Sequence, residues 1–61
     1  MNYTITSDSW NRGNYDAQHG RPPIFRRVGD HIEAEGDDPQ ADDWDANKRA
    51  EYLDGYDAYY A

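Results

Sequence analysis

The amino-acid sequence predicts an α+β fold in which a small antiparallel sheet, made of an N-terminal strand plus a hairpin, packs on one C-terminal amphipathic helix. Three observations predict it. Residues 1–6 alternate between apolar and polar side chains, residues 24–35 have the pattern of two short strands around a glycine turn, and residues 37–61 repeat aromatic side chains at helical spacing. A chain of 61 residues has room for one domain with one small core.

The first 20 residues contain one predicted strand and one predicted loop. Tyr3 and Ile5 lie on the same side of the alternating segment, as they would in a short half-buried strand. Residues 7–20 are polar and rich in turn formers, so we expect a loop that Trp10 and Tyr15 hold against the core. This pattern leaves open whether the loop contains a helical turn.

Residues 24–35 predict a β-hairpin, because Gly29-Asp30 fits a two-residue loop of the II′ type. Phe25 and Ile32 then point to the core. The register places these residues opposite each other: Val28 and His31, Arg27 and Ile32, Arg26 and Glu33, Phe25 and Ala34. A helix is the alternative, since Phe25, Val28 and Ile32 also recur at i, i+3 and i+7, but Gly29 would lie in its middle.

An acidic helix is predicted over residues 37–61, with Asp38 as the N-cap and Pro39 in its first turn. At about 100° per residue, one side faces the core together with an Asp45–Arg49 pair. This side carries Tyr52, Leu53, Tyr56, Tyr59 and Tyr60. The opposite side is an acidic ridge with Trp44 at its margin, and it carries Asp43, Asn47, Glu51, Asp54 and Asp57.

Two features of this helix have alternative interpretations. Gly55 weakens a helix by about 1 kcal/mol relative to alanine, so Asp54-Gly55 is also compatible with a helix end or a turn. The tyrosines at helical spacing favour a core face, and the alternative is an exposed tyrosine patch used for binding.

Charge is distributed unevenly along the chain, which has a net charge of −7. Residues 1–29 carry four arginines against two aspartates, a net charge of +2, whereas residues 30–61 carry eleven acids against Lys48 and Arg49, a net charge of −9. The nine aromatic residues favour a folded domain over a disordered acidic tail. The chain has no cysteine and no apolar stretch that would cross a membrane, so we expect a cytoplasmic protein.

No motif for catalysis or for cofactor binding is present, so we expect a non-enzyme without a cofactor. Ser7 and Ser9 lack the setting of a nucleophile, and no glycine loop has the spacing of a phosphate cradle. His31, beside Asp30 and Glu33, comes nearest to a set of metal ligands. It lacks the helical ligand spacing of a zinc site, so no metal site is predicted.

The acidic half opposes direct binding to DNA, because phosphates repel carboxylates. The same charge suits a basic nucleic-acid-binding protein as partner. On a continuous helix Asp43 and Asp54 would lie on one line about 16 Å apart, which is comparable to a run of several phosphates. The candidate partner-binding residues are Asp42, Asp43, Trp44, Asp45, Glu51, Asp54 and Asp57, with Trp44 as the aromatic anchor. The alternative is an acidic face that only keeps the protein soluble, as in a structural or accessory phage protein.

In size, acidity, aromatic content and lack of cysteine, the whole chain resembles phage-encoded anti-CRISPR proteins that act as DNA mimics. The resemblance implies that the acidic ridge occupies the DNA-binding channel of an RNA-guided surveillance complex in the host cytoplasm. Target recognition would then be blocked without catalysis.

Two short segments resemble ribosome modulation factor and its phage relatives. Trp10-Asn11-Arg12-Gly13 with Gly20-Arg21, and then Tyr52-Leu53-Asp54-Gly55-Tyr56, are similar to that family's aromatic-x-Arg-Gly…Gly-Arg and aromatic-Leu-x-Gly-aromatic segments. That factor is basic and helical, whereas this chain is acidic and has a hairpin-like insert between the segments. The resemblance implies a ribosome- or RNA-associated protein with contacts at Arg12, Arg21, Arg26 and Arg27.

Overall fold

The computed structural model describes residues 7–36 and 40–61, which form two α-helices and a two-stranded antiparallel sheet. In chain order the elements are α1 (Asp8–Gln18), β1 (Phe25–Val28), β2 (His31–Ala34), a short 3-10 helix (Ala41–Asp43) and α2 (Ala46–Tyr60). The α+β class with a C-terminal helix is confirmed. The strand predicted at residues 1–6 lies outside the described residues.

Helix α1 corrects the prediction of a polar loop over residues 7–20. Ser7 begins it as the N-cap, where its side-chain oxygen accepts a hydrogen bond from the Trp10 N–H at 3.1 Å. The buried face of α1 consists of small and polar residues, so apolar periodicity does not reveal it. These residues are Ser9, Gly13, Asp16 and Ala17. Tyr15, predicted to contact the core, is 46% exposed and contacts the His19 ring at 4.1 Å between centroids.

Helices α1 and α2 cross with their backbones in contact. A Cβ atom on Gly13 would lie 1.9 Å from the Tyr52 carbonyl oxygen, and one on Gly55 would lie 2.0 Å from the Trp10 carbonyl oxygen. Only glycine fits at these two positions, because any larger residue would force the helices apart. Gly55 therefore does not end α2, which continues to Tyr60.

The hairpin is confirmed in the predicted register: Phe25 pairs with Ala34, Arg26 with Glu33, Arg27 with Ile32 and Val28 with His31. Gly29 has a φ of +62°, and no non-glycine residue of the described segments has a positive φ. A single positive φ at the first turn position is the pattern of a II′ loop. Phe25 is fully buried and Ile32 packs beside it, as predicted.

Helix α2 begins at Ala46, which corrects the helix start predicted at Asp38. Asp38 and Pro39 lie outside the described residues, but the residues that follow form the separate 3-10 helix. Asp45 is the N-cap of α2, because its Oδ1 accepts a hydrogen bond from the Lys48 N–H at 2.8 Å.

The core lies where α2, the hairpin and the 3-10 helix meet. Its buried residues are Phe25, Ala41, Tyr52 and Leu53. Tyr52 and Leu53 agree with the predicted core face of α2, whereas Tyr59 and Tyr60 do not, being 49% and 63% exposed. Both follow Tyr56, the last residue of α2 that packs against this core. In the parts of the chain that the structure describes, neither helix is both long and apolar enough for a membrane crossing.

Candidate acidic binding surface

Three candidate acids lie immediately before α2 and are exposed. Asp42 and Asp43 belong to the 3-10 helix, and Asp45 is the N-cap of α2. Within residues 7–36 and 40–61, the side chains of Asp42 and Asp43 have no hydrogen-bond or ion-pair partner. Glu51 of α2 is half-buried and is likewise unpaired in these segments. We call Asp42, Asp43 and Glu51 the first acidic group.

The other two candidate acids form ion pairs with the hairpin. Arg27 of β1 contacts Asp57 at 2.9 Å and Asp54 at 3.4 Å. All three side chains are at least half exposed, so this contact is solvated. Because Asp43 precedes α2, it does not share a helical line with Asp54. Apart from Asp45, whose side chain caps α2, the candidate acids are therefore divided into two groups, and Asp54 with Asp57 is the second acidic group.

Trp44 is partly buried and packs against the edge of the core. Its ring centroid is 5.2 Å from that of Phe25 and 5.7 Å from that of Tyr52, with the latter pair edge to face. Trp44 also lines a groove between α1 and α2. Trp44 is therefore a partly buried residue that both packs against the core and lines the groove.

The groove beside Trp44 has a volume of about 620 Å³. The first turn of α1 forms one wall and the 3-10 helix with the first half of α2 forms the other. Asp43 and Glu51 line it, so two members of the first acidic group face the same space. The candidate residues that the structure brings together are thus Asp43, Trp44 and Glu51.

Most arginines are bound within the fold. Arg12 and Arg21 both contact Asp16, at 3.2 and 3.6 Å. Arg49, predicted to pair with the Asp45 side chain, donates to three carbonyl oxygens instead: those of Trp44 at 2.8 Å, Ile32 at 3.1 Å and Ala41 at 3.4 Å. These cations hold segments of the protein together, which leaves the surface before α2 acidic.

Asp16 and Tyr52 form a buried polar contact that sequence reasoning missed. The Tyr52 hydroxyl donates to Asp16 Oδ2 at 2.6 Å and accepts from the Ile24 N–H at 3.3 Å. Burial raises the pKa of Tyr52 well above its ordinary value, and the hydrogen bond to Asp16 raises this pKa further. A signal for this contact exists in the sequence, because Asp16 lies on the same helical face as Ser9, Gly13 and Ala17. It can be used only when residues 8–18 are recognised as a helix.

His31 lies between two carboxylates at the hairpin turn. Its Nε2 is 2.8 Å from Glu33 and its Nδ1 is 3.6 Å from Asp30. The hydrogen bond to Glu33 raises the pKa of His31 above its ordinary value, and Asp30 adds to this effect. The two carboxylates contact different ring nitrogens, so they do not converge on one metal position. Across residues 7–36 and 40–61, no three metal-binding side chains cluster.

The fold and this surface define a small α+β protein with an acidic face beside a groove that Trp44 lines. The chain matches no protein-family model, and comparisons with curated proteins and with solved structures likewise returned no match.

Proposed function

We propose that the protein is a non-catalytic inhibitor that binds a basic, nucleic-acid-binding protein in the host cytoplasm, with its carboxylates in the place of phosphates. The separation of the two charge signs carries this proposal. Cationic side chains make contacts inside the fold, namely Arg12, Arg21, Arg27 and Arg49. Carboxylates project from the surface before α2. Such a surface attracts the lysines and arginines that normally bind nucleic acid.

The first acidic group is the better contact surface of the two. Its carboxylates are unpaired in the described residues, so a partner's cations reach them without displacing an internal ion pair. The second acidic group already contacts Arg27, and a partner would compete with that arginine. We therefore assign the main contact to Asp42, Asp43 and Glu51, with Trp44 as the aromatic anchor beside them.

The kind of partner follows from the resemblance to anti-CRISPR DNA mimics in size and charge. The proposed target is an RNA-guided surveillance complex of a bacterial defence system. The protein would occupy part of its DNA-binding channel and exclude target DNA by competition. Because the attraction is ionic and solvent-exposed, inhibition should weaken as salt concentration rises.

A matched pair of variants tests this proposal. The first, Asp42→Asn with Asp43→Asn and Glu51→Gln, removes three charges from the proposed contact. The control, Asp30→Asn with Glu33→Gln and Glu35→Gln, removes three charges from the hairpin. DNA binding by purified surveillance complexes is measured with increasing amounts of each variant. We expect the first variant to lose at least about tenfold in inhibitory affinity, or about 1.4 kcal/mol, and the control to lose much less.

Two outcomes contradict the proposal. Equal losses for both variants would mean that only net charge counts and that no defined surface exists. If the unmodified protein inhibits no surveillance complex and binds no partner that high salt releases, the acidic residues would serve only to keep the protein soluble. Circular dichroism of both variants checks that they remain folded.

A second candidate function is a ribosome-associated factor, and one contact favours it. The two segments that resemble ribosome modulation factor pack directly on each other, with Gly13 against Tyr52 and Gly55 against Trp10. Arg26 provides the cleanest test, since it is exposed and forms no ion pair in the described segments, whereas Arg12, Arg21 and Arg27 do. Co-sedimentation with ribosomes that Arg26→Gln weakens would favour this function over acidic mimicry.

A further inference from the structure

The groove between α1 and α2 is lined by a largely buried serine whose hydroxyl group has no partner in the described residues. Ser9 lines the groove and is only 8% exposed, and its side chain makes no hydrogen bond within the segments that the structure describes. Among those segments, every fully buried side-chain nitrogen or oxygen atom has a partner. The Ser9 oxygen is therefore not fully buried, and because Ser9 lines the groove, this hydroxyl group can accept a hydrogen bond from a ligand there.

The charges around this space favour a cationic ligand. Asp8, Asp43 and Glu51 line the groove, and their carboxylates are unpaired in the described residues. Arg12 lines it too, but its Nε is bound to Asp16 at 3.2 Å. Lys48 is the other cation of the groove wall. Three unpaired carboxylates against one unpaired ammonium group leave a site that a positive charge complements.

Trp44 narrows the choice of cation. Its ring packs against Phe25 and Tyr52, and Trp44 also lines the groove. Tryptophan is the most favourable side chain for a cation above its ring face. A guanidinium group is planar, stacks on aromatic rings and donates two parallel hydrogen bonds to a carboxylate, which an ammonium group does not.

We propose that this groove binds an arginine side chain of the partner protein, stacked on Trp44 and hydrogen-bonded to Asp43, Glu51 and the Ser9 hydroxyl. The proposal rests on the proposed function, because it specifies how the acidic surface recognises its basic partner. It adds the residue type that is recognised and a residue, Ser9, that charge alone does not indicate.

The test uses the full chain and a probe that is independent of any partner. The probe is N-acetyl-arginine amide, and its neutral isostere N-acetyl-citrulline amide is the control. NMR records the indole N–H signals of Trp44 and Trp10, which Trp44→Phe assigns. We expect saturable shifts of the Trp44 signal with the arginine probe, weak shifts with N-acetyl-lysine amide and none with the citrulline probe.

Three variants test the individual contacts. Asp43→Asn with Glu51→Gln should weaken binding of the arginine probe at least about tenfold, and Ser9→Ala about threefold. Lys48→Met should strengthen binding about twofold, because it removes a like charge. Glu35→Gln, on the hairpin, removes one charge outside the groove and should change the affinity by less than these variants.

The outcomes separate this inference from the proposed function. Equal Trp44 shifts with the arginine and citrulline probes, or no shift with either, would overturn the groove proposal even if the intact protein inhibits a surveillance complex. Arginine binding that requires Asp43, Glu51 and Ser9 would support the groove even if no surveillance complex is inhibited. In that case the proposed function alone fails.

Discussion

Helix α2 packs on α1 and on the hairpin in two different ways. Against α1 the backbones touch at Gly13 and Gly55, with no space for a Cβ atom. Against the hairpin the contact is made by side chains, with Phe25 packed on Tyr52 in the core and Arg27 in solvated ion pairs at the edge. The first interface depends on shape and the second on side-chain burial and charge.

This difference indicates where the protein tolerates change. Backbone contact has no side chain that can move aside, so an added methyl group separates two helices. Side chains at a solvated edge adjust their rotamers, and water replaces a lost ion pair. We therefore expect substitutions at the helix crossing to have large effects on stability and substitutions at the hairpin edge to have small ones.

The largest effect is expected for Gly13→Ala and for Gly55→Ala. Helix propensity alone would make either change stabilising by about 1 kcal/mol. Steric overlap with the facing carbonyl should reverse the sign and destabilise the fold by about 3 kcal/mol, or more than 10 °C in Tm for a domain of this size. Thermal unfolding followed by circular dichroism measures the change. Asn47→Ala, exposed on α2, is the control, and a stabilised Gly13→Ala would contradict the close crossing.

An intermediate effect is expected for Tyr52→Phe, because Tyr52 belongs to both interfaces. The variant leaves the Asp16 carboxylate and the Ile24 N–H without the hydroxyl group, which should cost about 1–3 kcal/mol. Urea unfolding measures this loss. Tyr59→Phe is the control, since Tyr59 is 49% exposed.

The pH dependence of Tyr52→Phe provides a second measurement. The pKa of Tyr52 is raised in the folded protein, so the stability that it contributes is complete below the unfolded pKa of about 10. This stability is lost as pH rises above that value, because the unfolded state releases the proton first. The stability difference between the unmodified protein and the variant should therefore shrink above about pH 10. A constant difference would contradict a buried neutral hydroxyl.

A small effect is expected for Arg27→Met, which keeps the aliphatic stem and removes the charge. Its ion pairs with Asp54 and Asp57 are exposed, so the loss should be below about 1 kcal/mol and should diminish in high salt. Arg26→Met, on the opposite side of β1, is the matched control. A loss of stability as large as that expected for Gly13→Ala would contradict the view that side chains at the hairpin edge adjust to substitution.

The smallest effect is expected for Glu33→Gln, which should lower the pKa of His31 towards its ordinary value. Because the pKa of His31 is raised in the folded protein, the hydrogen bond between His31 and Glu33 stabilises the fold at low pH. This stabilisation disappears as the pH rises through the pKa of His31 in the folded protein. NMR titration of the His31 ring measures the shift. Asp30→Asn should change the pKa less, because Glu33 is the closer carboxylate, and the reverse order would contradict the geometry.

Local sequence signals predict the hairpin but not the helix crossing. Gly29-Asp30 and the flanking alternation specify the turn and register within twelve residues, so no distant contact is needed. The role of Gly13 and of Gly55 depends on the other helix, since a carbonyl group of that helix occupies the space where a Cβ atom would lie. The buried face of α1 contains Ser9 and Asp16, whose burial depends on partners in the C-terminal half.

The candidate surface is divided for a similar reason. The number of acidic residues and their positions along the chain can be read directly from the sequence, and they indicate an acidic C-terminal half. Whether an acid is paired depends on which arginine reaches it, and Arg27 reaches Asp54 and Asp57 only through the hairpin fold. The capping signal at Asp38 is local, and it did not reveal that α2 begins only at Ala46 with Asp45 as its N-cap.

The guanidinium group of Arg49 has a consequence for unfolding. It donates to one carbonyl oxygen of β2 and to the carbonyl oxygens of Ala41 and Trp44 at the two ends of the 3-10 helix, so one side chain joins α2 to the hairpin and to the 3-10 helix. If either the hairpin or the 3-10 helix detached, the guanidinium group would lose a partly buried acceptor and its contact with the other would weaken. We therefore expect the hairpin, the 3-10 helix and α2 to lose structure in a single cooperative transition, in spite of the small number of buried apolar residues.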